Sequence, residues 1–297
     1  CRILLIGFQK DCCSIVFRNL LIADSGKGHV EEMVRMLQDI PFFRNAKVNL
    51  LHVVSEQSKS VADDHRSRAE DLLQSSVQRM GLSGTNATTF VREGDTKQTV
   101  LKVADELDCD LIVMGSRGLG RLQSILANST SQYVFQLSTR PMLLVRDDLY
   151  VRHVNRVAVT VDGTGVGDDA LRVACELVRD VPGASLTGIH VSRQDLSPSR
   201  GGSGKSDQIL DAAVQRARSF GVDLKPVHAT GANIGRTVCQ AAADTNTDLL
   251  VIASQDRRPL VARGLVDLDK LLGGSVSDYI RVHAPAPVLL VREPEKN

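Results

Sequence analysis

One block of sequence occurs twice, and that repetition constrains the fold more than any other feature of the chain. Leu20-Leu21-Ile22-Ala23-Asp24 matches Val157-Ala158-Val159-Thr160-Val161-Asp162, with the aspartates 138 residues apart. Leu50-Leu51-His52-Val53 and Thr187-Gly188-Ile189-His190-Val191 keep that offset at their histidines, as do Asp110-Leu111-Ile112-Val113 and Asp248-Leu249-Leu250-Val251. Beyond these segments the offset becomes 146, pairing Ser129 with Ser275 and Pro141-Met142-Leu143-Leu144-Val145-Arg146 with Pro287-Val288-Leu289-Leu290-Val291-Arg292. Eight residues are therefore inserted in the second copy, between its fourth strand and the helix that follows. A chain of 297 residues holds two such copies at ordinary domain size. The expected domains are 17–147 and 153–297, joined by the polar stretch 147–155. Residues 1–15 have no counterpart and read as an appendage, with the natural start expected near Val16.

Within each copy, short apolar runs alternate with stretches of helical period. Runs too continuous for a half-exposed strand belong to a parallel sheet covered on both faces. Val30, Met33, Val34 and Leu37 fall on one helical face, as do Val100, Val103, Ala104 and Leu107. Asp95 with Gln98, Ser129 with Gln132 and Ser275 with Asp278 read as helix-start capping pairs. The expected fold is α/β, with two tandem doubly wound domains of five parallel strands each. The apolar fifth strands, 141–146 and 287–292, lie near sheet edges and invite pairing with one another. An intramolecular pseudo-dimer follows, and a homodimer of whole chains is compatible with it.

Charge and cysteine content narrow the function classes. Lys and Arg total 36 against 35 for Asp and Glu, so no electrostatic footprint for nucleic acid or an anionic membrane is present. No apolar run approaches the roughly 18 residues of a membrane-spanning helix, and no secretory leader is visible. The six cysteines lack framework spacing, and Cys175 and Cys239 sit in apolar helical patterns as small buried thiols. A soluble cytoplasmic protein is the expectation.

Chemistry concentrates after the fourth strand of copy one. Met114-Gly115-Ser116-Arg117-Gly118-Leu119-Gly120-Arg121 leads towards Asn128-Ser129-Thr130, where the last helix opens. In a parallel sheet the ligand crevice lies beyond the carboxyl ends of the strands, so this loop, Asp24 and Val53 should converge there. Glycines let the backbone approach a ligand closely, and helix-start N–H groups attract phosphate. Ser129 could cap the helix or donate to a phosphate oxygen, and Arg117 and Arg121 add positive charge.

These segments together resemble the universal stress protein family, whose members carry Gly, two residues, Gly, nine residues, then Gly-Ser or Gly-Thr after the fourth strand. Gly115, Gly118 and Ser129 match, over a resemblance spanning roughly residues 17–146 and 153–292. It implies an adenine-nucleotide α-hydrolase-like fold and a regulator that binds ATP, or AMP or ADP, with Mg as the nucleotide's own ion and no dedicated protein metal site. By the same resemblance, Ala23, Asp24 and Val53 contact the adenine and ribose. Met114, Gly115, Arg117, Gly118, Arg121, Asn128, Ser129 and Thr130 then surround the ribose and phosphates. Asn128 departs from the pattern, standing where the third glycine belongs.

Copy two departs further. Its fourth strand runs into Ala253-Ser254-Gln255-Asp256, which removes the first two glycines and places a carboxylate at the position of Gly118. Asp162, Val191, Ala253, Gly274, Ser275 and Val276 mark a degenerate second site. Gly201-Gly202-Ser203-Gly204-Lys205-Ser206 mimics a nucleoside-triphosphatase loop but has Ser199 where the first glycine is needed, and reads as a mobile loop. His52 and His190 lack a catalytic partner motif and read as locally hydrogen-bonded. The leading expectation is a non-catalytic stress-response regulator with an adenine nucleotide in copy one and an unknown protein partner. A weak ATPase or phosphotransferase and a nucleotide-independent scaffold stand as alternatives.

Overall fold

A computed structural model describes residues 17–24, 31, 34–35, 37–38, 40, 43, 45–54, 62–82, 86–116, 129–149, 151, 153–193, 202–254 and 275–292. Copy one contributes β1 (Asn19–Ala23), β2 (Lys47–Val54), α1 (Ala62–Arg79), β3 (Ala87–Glu93), α2 (Thr96–Glu106), β4 (Leu111–Ser116), α3 (Thr130–Leu137) and β5 (Met142–Arg146). Copy two contributes β6 (Arg156–Thr160), α4 (Gly165–Arg179), β7 (Ser185–Arg193), α5 (Gly202–Ser219), β8 (Leu224–Gly231), α6 (Ile234–Asp244), β9 (Leu249–Ser254), α7 (Val276–His283) and β10 (Val288–Arg292). Helical turns also occur at residues 31, 34, 35 and 37, where Val34 and Leu37 are buried as their spacing requires.

The ten strands among the described residues form one sheet in the order β3-β2-β1-β4-β5-β10-β9-β6-β7-β8. Every pairing is parallel except the central one, where β5 and β10 run antiparallel with Leu143 opposite Leu289. The two copies are thus halves of a pseudo-dimer closed by their fifth strands. Alternate residues feed two cores: Leu20 and Ile22 pack on one face, and Leu21 on the other. A strand covered on both sides is apolar throughout, which is why these runs look continuous in sequence.

Paired polar devices lock the strand order. Asp110, just before β4, accepts from the backbone N–H groups of Arg18 and Asn19 at 2.7 and 3.1 Å, and Asp248 does the same for Asn155 and Arg156. Each aspartate of the repeat therefore ties the start of a first strand to the start of a fourth. Burial pushes the Asp110 carboxyl above its ordinary range, against the pull of those N–H donors. Asp248 gains the Arg156 guanidinium as well, at 2.6 Å. At the junction, Arg146 donates to the carbonyls of Val282 and Ala284 at 2.7 and 2.8 Å, satisfying acceptors at the end of α7. Arg292 reaches the other way, to the Phe135 carbonyl in α3. The terminal arginine of each repeated fifth strand is thus a clamp on the opposite copy.

Two sequence readings change. Residues 202–205, expected in a mobile loop, form the first turn of α5, a position where backbone N–H groups need no intrahelical acceptor and small residues cost little. The strand register also shifts: Ala23 pairs with Leu51, and Thr160 pairs with Ile189. Asp24 is consequently the ladder equivalent of Val161, whose N–H likewise bonds the carbonyl of the second strand, and Asp162 stands one residue further on. Matching the two aspartates by letter overrode the alternation of inward and outward residues that sets register.

Cys109, Cys175 and Cys239 are buried and free. Burial pushes their thiols up to about 11, 12 and 11 respectively. The thiolate is the reactive form, so at pH 8 these three residues are expected to stay unlabelled by iodoacetamide until the chain is denatured. Peptide mass spectrometry before and after denaturation checks this; labelling of Cys175 in the native protein would contradict it.

Candidate functional site

In copy one the chain crosses from β1 to β2 on one side of β1 and places β4 on the other. That reversal between β1 and β4 opens the crevice in which doubly wound sheets bind ligands. Ala23 pairs with Met114 across the gap, and Gly115 and Ser116 finish β4. Ala23 and Val53 pack on the face that also buries Met114, beneath α2 and α3. The His52 ring nitrogen Nδ1 lies 2.9 Å from the Asp24 carbonyl, a local bond that occupies the histidine and fixes the end of β1. His190 repeats the arrangement with the Val161 carbonyl at 2.7 Å.

Asp24 turns the other way. Only 4% exposed, its carboxylate accepts from Ser76 Oγ of α1 at 2.8 Å. Arg79, itself exposed, donates to Ser76 Oγ at 3.1 Å and pairs with Glu31 at 2.7 Å, so the buried Asp24, Ser76 and Glu31 form a polar cluster closed by Arg79 on the face opposite Ala23, Val53 and Met114. Period-two alternation along β1 dictates this separation. Sequence reasoning missed Ser76, Glu31 and Arg79 as partners of Asp24; nothing in their spacing links them to β1.

The helix after β4, α3, begins with Ser129 as its cap, whose oxygen accepts from the Gln132 N–H at 3.2 Å. No acidic residue stands in the first turn of α3 to offset the positive end of the helix dipole. Thr130 follows, half-buried. Arg117, Gly118, Arg121 and Asn128 lie outside the described residues.

The equivalent region of copy two is already internally satisfied. Ser275 caps α7 by accepting from the Asp278 N–H at 3.1 Å, and its hydroxyl donates to the Asp278 carboxylate at 2.9 Å. Asp278 therefore places negative charge in the first turn, where α3 has none. Asp162 is exposed and accepts from Thr164 N–H and Oγ at 2.9 and 2.7 Å, a turn that starts α4. Gly167 makes room for it, since a Cβ there would fall 2.3 Å from Asp162 Oδ1. Val191, Ala253 and Val276 sit at the ends of β7 and β9 and the start of α7, whereas Gly274 lies outside the described residues. Ser116 and Ser129 bound the first connection, Ser254 and Ser275 the second, which is longer by the eight inserted residues.

The sequence model of the universal stress protein family matches this chain twice, over residues 17–146 and 153–292. The chain belongs to the universal stress protein family. Among its relatives, the universal stress protein Sll1654 of Synechocystis is 30% identical over 138 residues, which is 44% of this chain and 87% of that protein. YxiE of Bacillus subtilis is 26% identical over 148 residues, covering 44% of this chain and 100% of its own. A universal stress protein from Archaeoglobus fulgidus superposes over 94% of this chain and 98% of its own, with a TM-score of 0.74 at 20% identity. A putative universal stress protein from Pseudomonas aeruginosa covers 95% of each chain with a TM-score of 0.62 at 14% identity. Those likenesses extend the tandem fold across nearly the whole molecule. Among the described residues no helix is long and apolar enough to cross a membrane.

Proposed function

We propose that this universal stress protein binds an adenine nucleotide in its first copy and acts as a non-catalytic regulator whose occupancy biases partner choice. One observation carries the reading: the strand order reverses between β1 and β4, where Ala23 pairs with Met114 immediately before Gly115, and the helix that follows β4, α3, starts with no acidic residue in its first turn. The described residues fit a nucleotide's chemistry, with apolar Ala23, Val53 and Met114 on one wall and a positive helix end on another. Gly118, Arg117 and Arg121 would complete the phosphate cradle, and Mg would enter as the nucleotide's own counter-ion.

A hydrolytic reading needs a carboxylate free to position water or metal. Asp24 is the carboxylate at the end of β1, and its engagement with Ser76 on the opposite face weighs against that role. Copy two, with Asp278 in its helix start and Asp256 in place of the second glycine, supports the first copy and binds no nucleotide.

Heat-denaturing freshly purified protein and chromatographing the supernatant tests the proposal. About one adenine nucleotide per chain is expected, as for a single site of sub-micromolar affinity retained through purification. Two per chain would overturn the asymmetry, and none, combined with no thermal shift on adding ATP, would favour the scaffold.

A further inference from the structure

Among the described residues the sheet ends in β3 on the side of copy one and in β8 on the side of copy two. The repeat makes these strands equivalent, yet they differ in what they offer a further strand. β8 carries Lys225 and Pro226, and proline has no N–H to give to a ladder. Charge and proline are the usual guards of a sheet edge. β3 has no proline, and its centre is Thr88-Thr89-Phe90-Val91, β-branched and aromatic residues that favour a strand.

Two hydrogen bonds fix which backbone groups of β3 are already used. Val48 N–H donates to the Asn86 carbonyl at 2.9 Å, and Gly94 N–H donates to the Val54 carbonyl at 3.0 Å. Every second residue of a parallel strand faces its neighbour, so residues 86, 88, 90, 92 and 94 face β2. The N–H and C=O groups of Ala87, Thr89, Val91 and Glu93 therefore point away from the sheet. Arg92 Nη1 reaches the Val91 carbonyl at 3.3 Å, a long contact that a strand N–H can replace.

The surface beside this edge is uncrowded as well. α1 packs on both β2 and β3, whereas α2 packs on β2. Phe90, on the face that α2 covers elsewhere, is half-buried, and the Arg92 guanidinium lies 5.4 Å from its ring centroid.

We propose that β3 is the docking edge for a second copy of this chain, the two β3 strands pairing antiparallel about a two-fold axis at Phe90. Centring on Phe90, the middle residue, engages the whole strand. It sets Thr89 opposite the second copy's Val91, Thr88 opposite its Arg92 and Ala87 opposite its Glu93. No like charges then face each other, β-branched residues meet, and the two Phe90 rings become neighbours at the axis. The outward groups of the two strands satisfy one another in about eight hydrogen bonds. Because Pro226 guards β8, association closes at a dimer and does not run on into a filament. A single short ladder is a small interface, so a dissociation constant of about 10–100 µM is expected.

Sedimentation velocity of the full chain from about 5 to 300 µM tests the proposal, with a shift from monomer to dimer expected across that range. Thr89→Pro removes an outward N–H at an edge where proline is tolerated, and it should stay monomeric throughout with unchanged circular dichroism. Phe90→Cys gives a second measurement should Thr89→Pro fail to fold. Opposed residues without mutual hydrogen bonds have Cα atoms about 4.5 Å apart, within disulfide reach, so mild oxidation should link the two substituted positions, as read by peptide mass spectrometry. A parent that is monomeric at every concentration would overturn the proposal and leave the edge to an extended strand of another protein. A Thr89→Pro chain that dimerises as the parent does, or an oxidised Phe90→Cys dimer with no link at that position, would overturn it too.

Discussion

Leu289→Asp is expected to unfold the whole chain rather than to part its two copies. Leu289 is 2% exposed, sits opposite Leu143 in the antiparallel pair that joins the half-sheets, and packs in the core shared by both copies. Every residue of β5 and of β10 is buried, so the junction is interior and not an interface between preformed domains. Removing a buried leucine costs about 2–5 kcal/mol, and an unpaired carboxylate in its place adds several more unless it takes up a proton. A domain's entire stability is about 5–15 kcal/mol. Circular dichroism at 25 °C should therefore show lost structure, or a urea midpoint moved most of the way to zero. Separate copies with β5 and β10 exposed would give instead a folded chain with two transitions, and that outcome would sink the single-sheet account. Val276→Ser, at an exposed position, is the matched control and should shift stability by less than about 0.5 kcal/mol.

The sheet was legible because its determinants are periodic. Continuous apolar runs separated by amphipathic stretches define a doubly wound sheet, and the twin fifth strands announced their mutual pairing. Capping was legible too: Asp95, Ser129 and Ser275 each accept from the N–H three residues on. Pairwise side-chain geometry was not. The aspartates at 110 and 248 served as markers of the repeat, while their bonds to the starts of β1 and β6 depend on strands brought together from more than 90 residues away. Asp24 shows the hazard of letter matching. Its identity suggested equivalence with Asp162, whereas its inward position makes it the counterpart of Val161 and a partner of Ser76.

Gly118→Asp, which places in copy one the residue that copy two has at the equivalent position, is expected to abolish nucleotide binding without altering the fold. Asp256 fills that position in copy two, 138 residues on, and Ala253 there replaces Gly115. A carboxylate about 4 Å from a phosphate oxygen opposes binding by about 4 kcal/mol at an effective dielectric of about 20, close to a thousandfold in affinity. Loss of the glycine adds a second cost, because a Cβ narrows the approach of the backbone to the phosphates. Calorimetry with ATP should show no heat of binding, while urea unfolding of the nucleotide-free protein keeps its midpoint. The reciprocal change, Asp256→Gly, should not create a site, since Asp278 still charges the start of α7 and its capping bond still occupies Ser275. Retained ATP affinity in Gly118→Asp would remove the loop from the binding site. Affinity gained in Asp256→Gly alone would show that the second copy lost its nucleotide through one residue and not through its helix start.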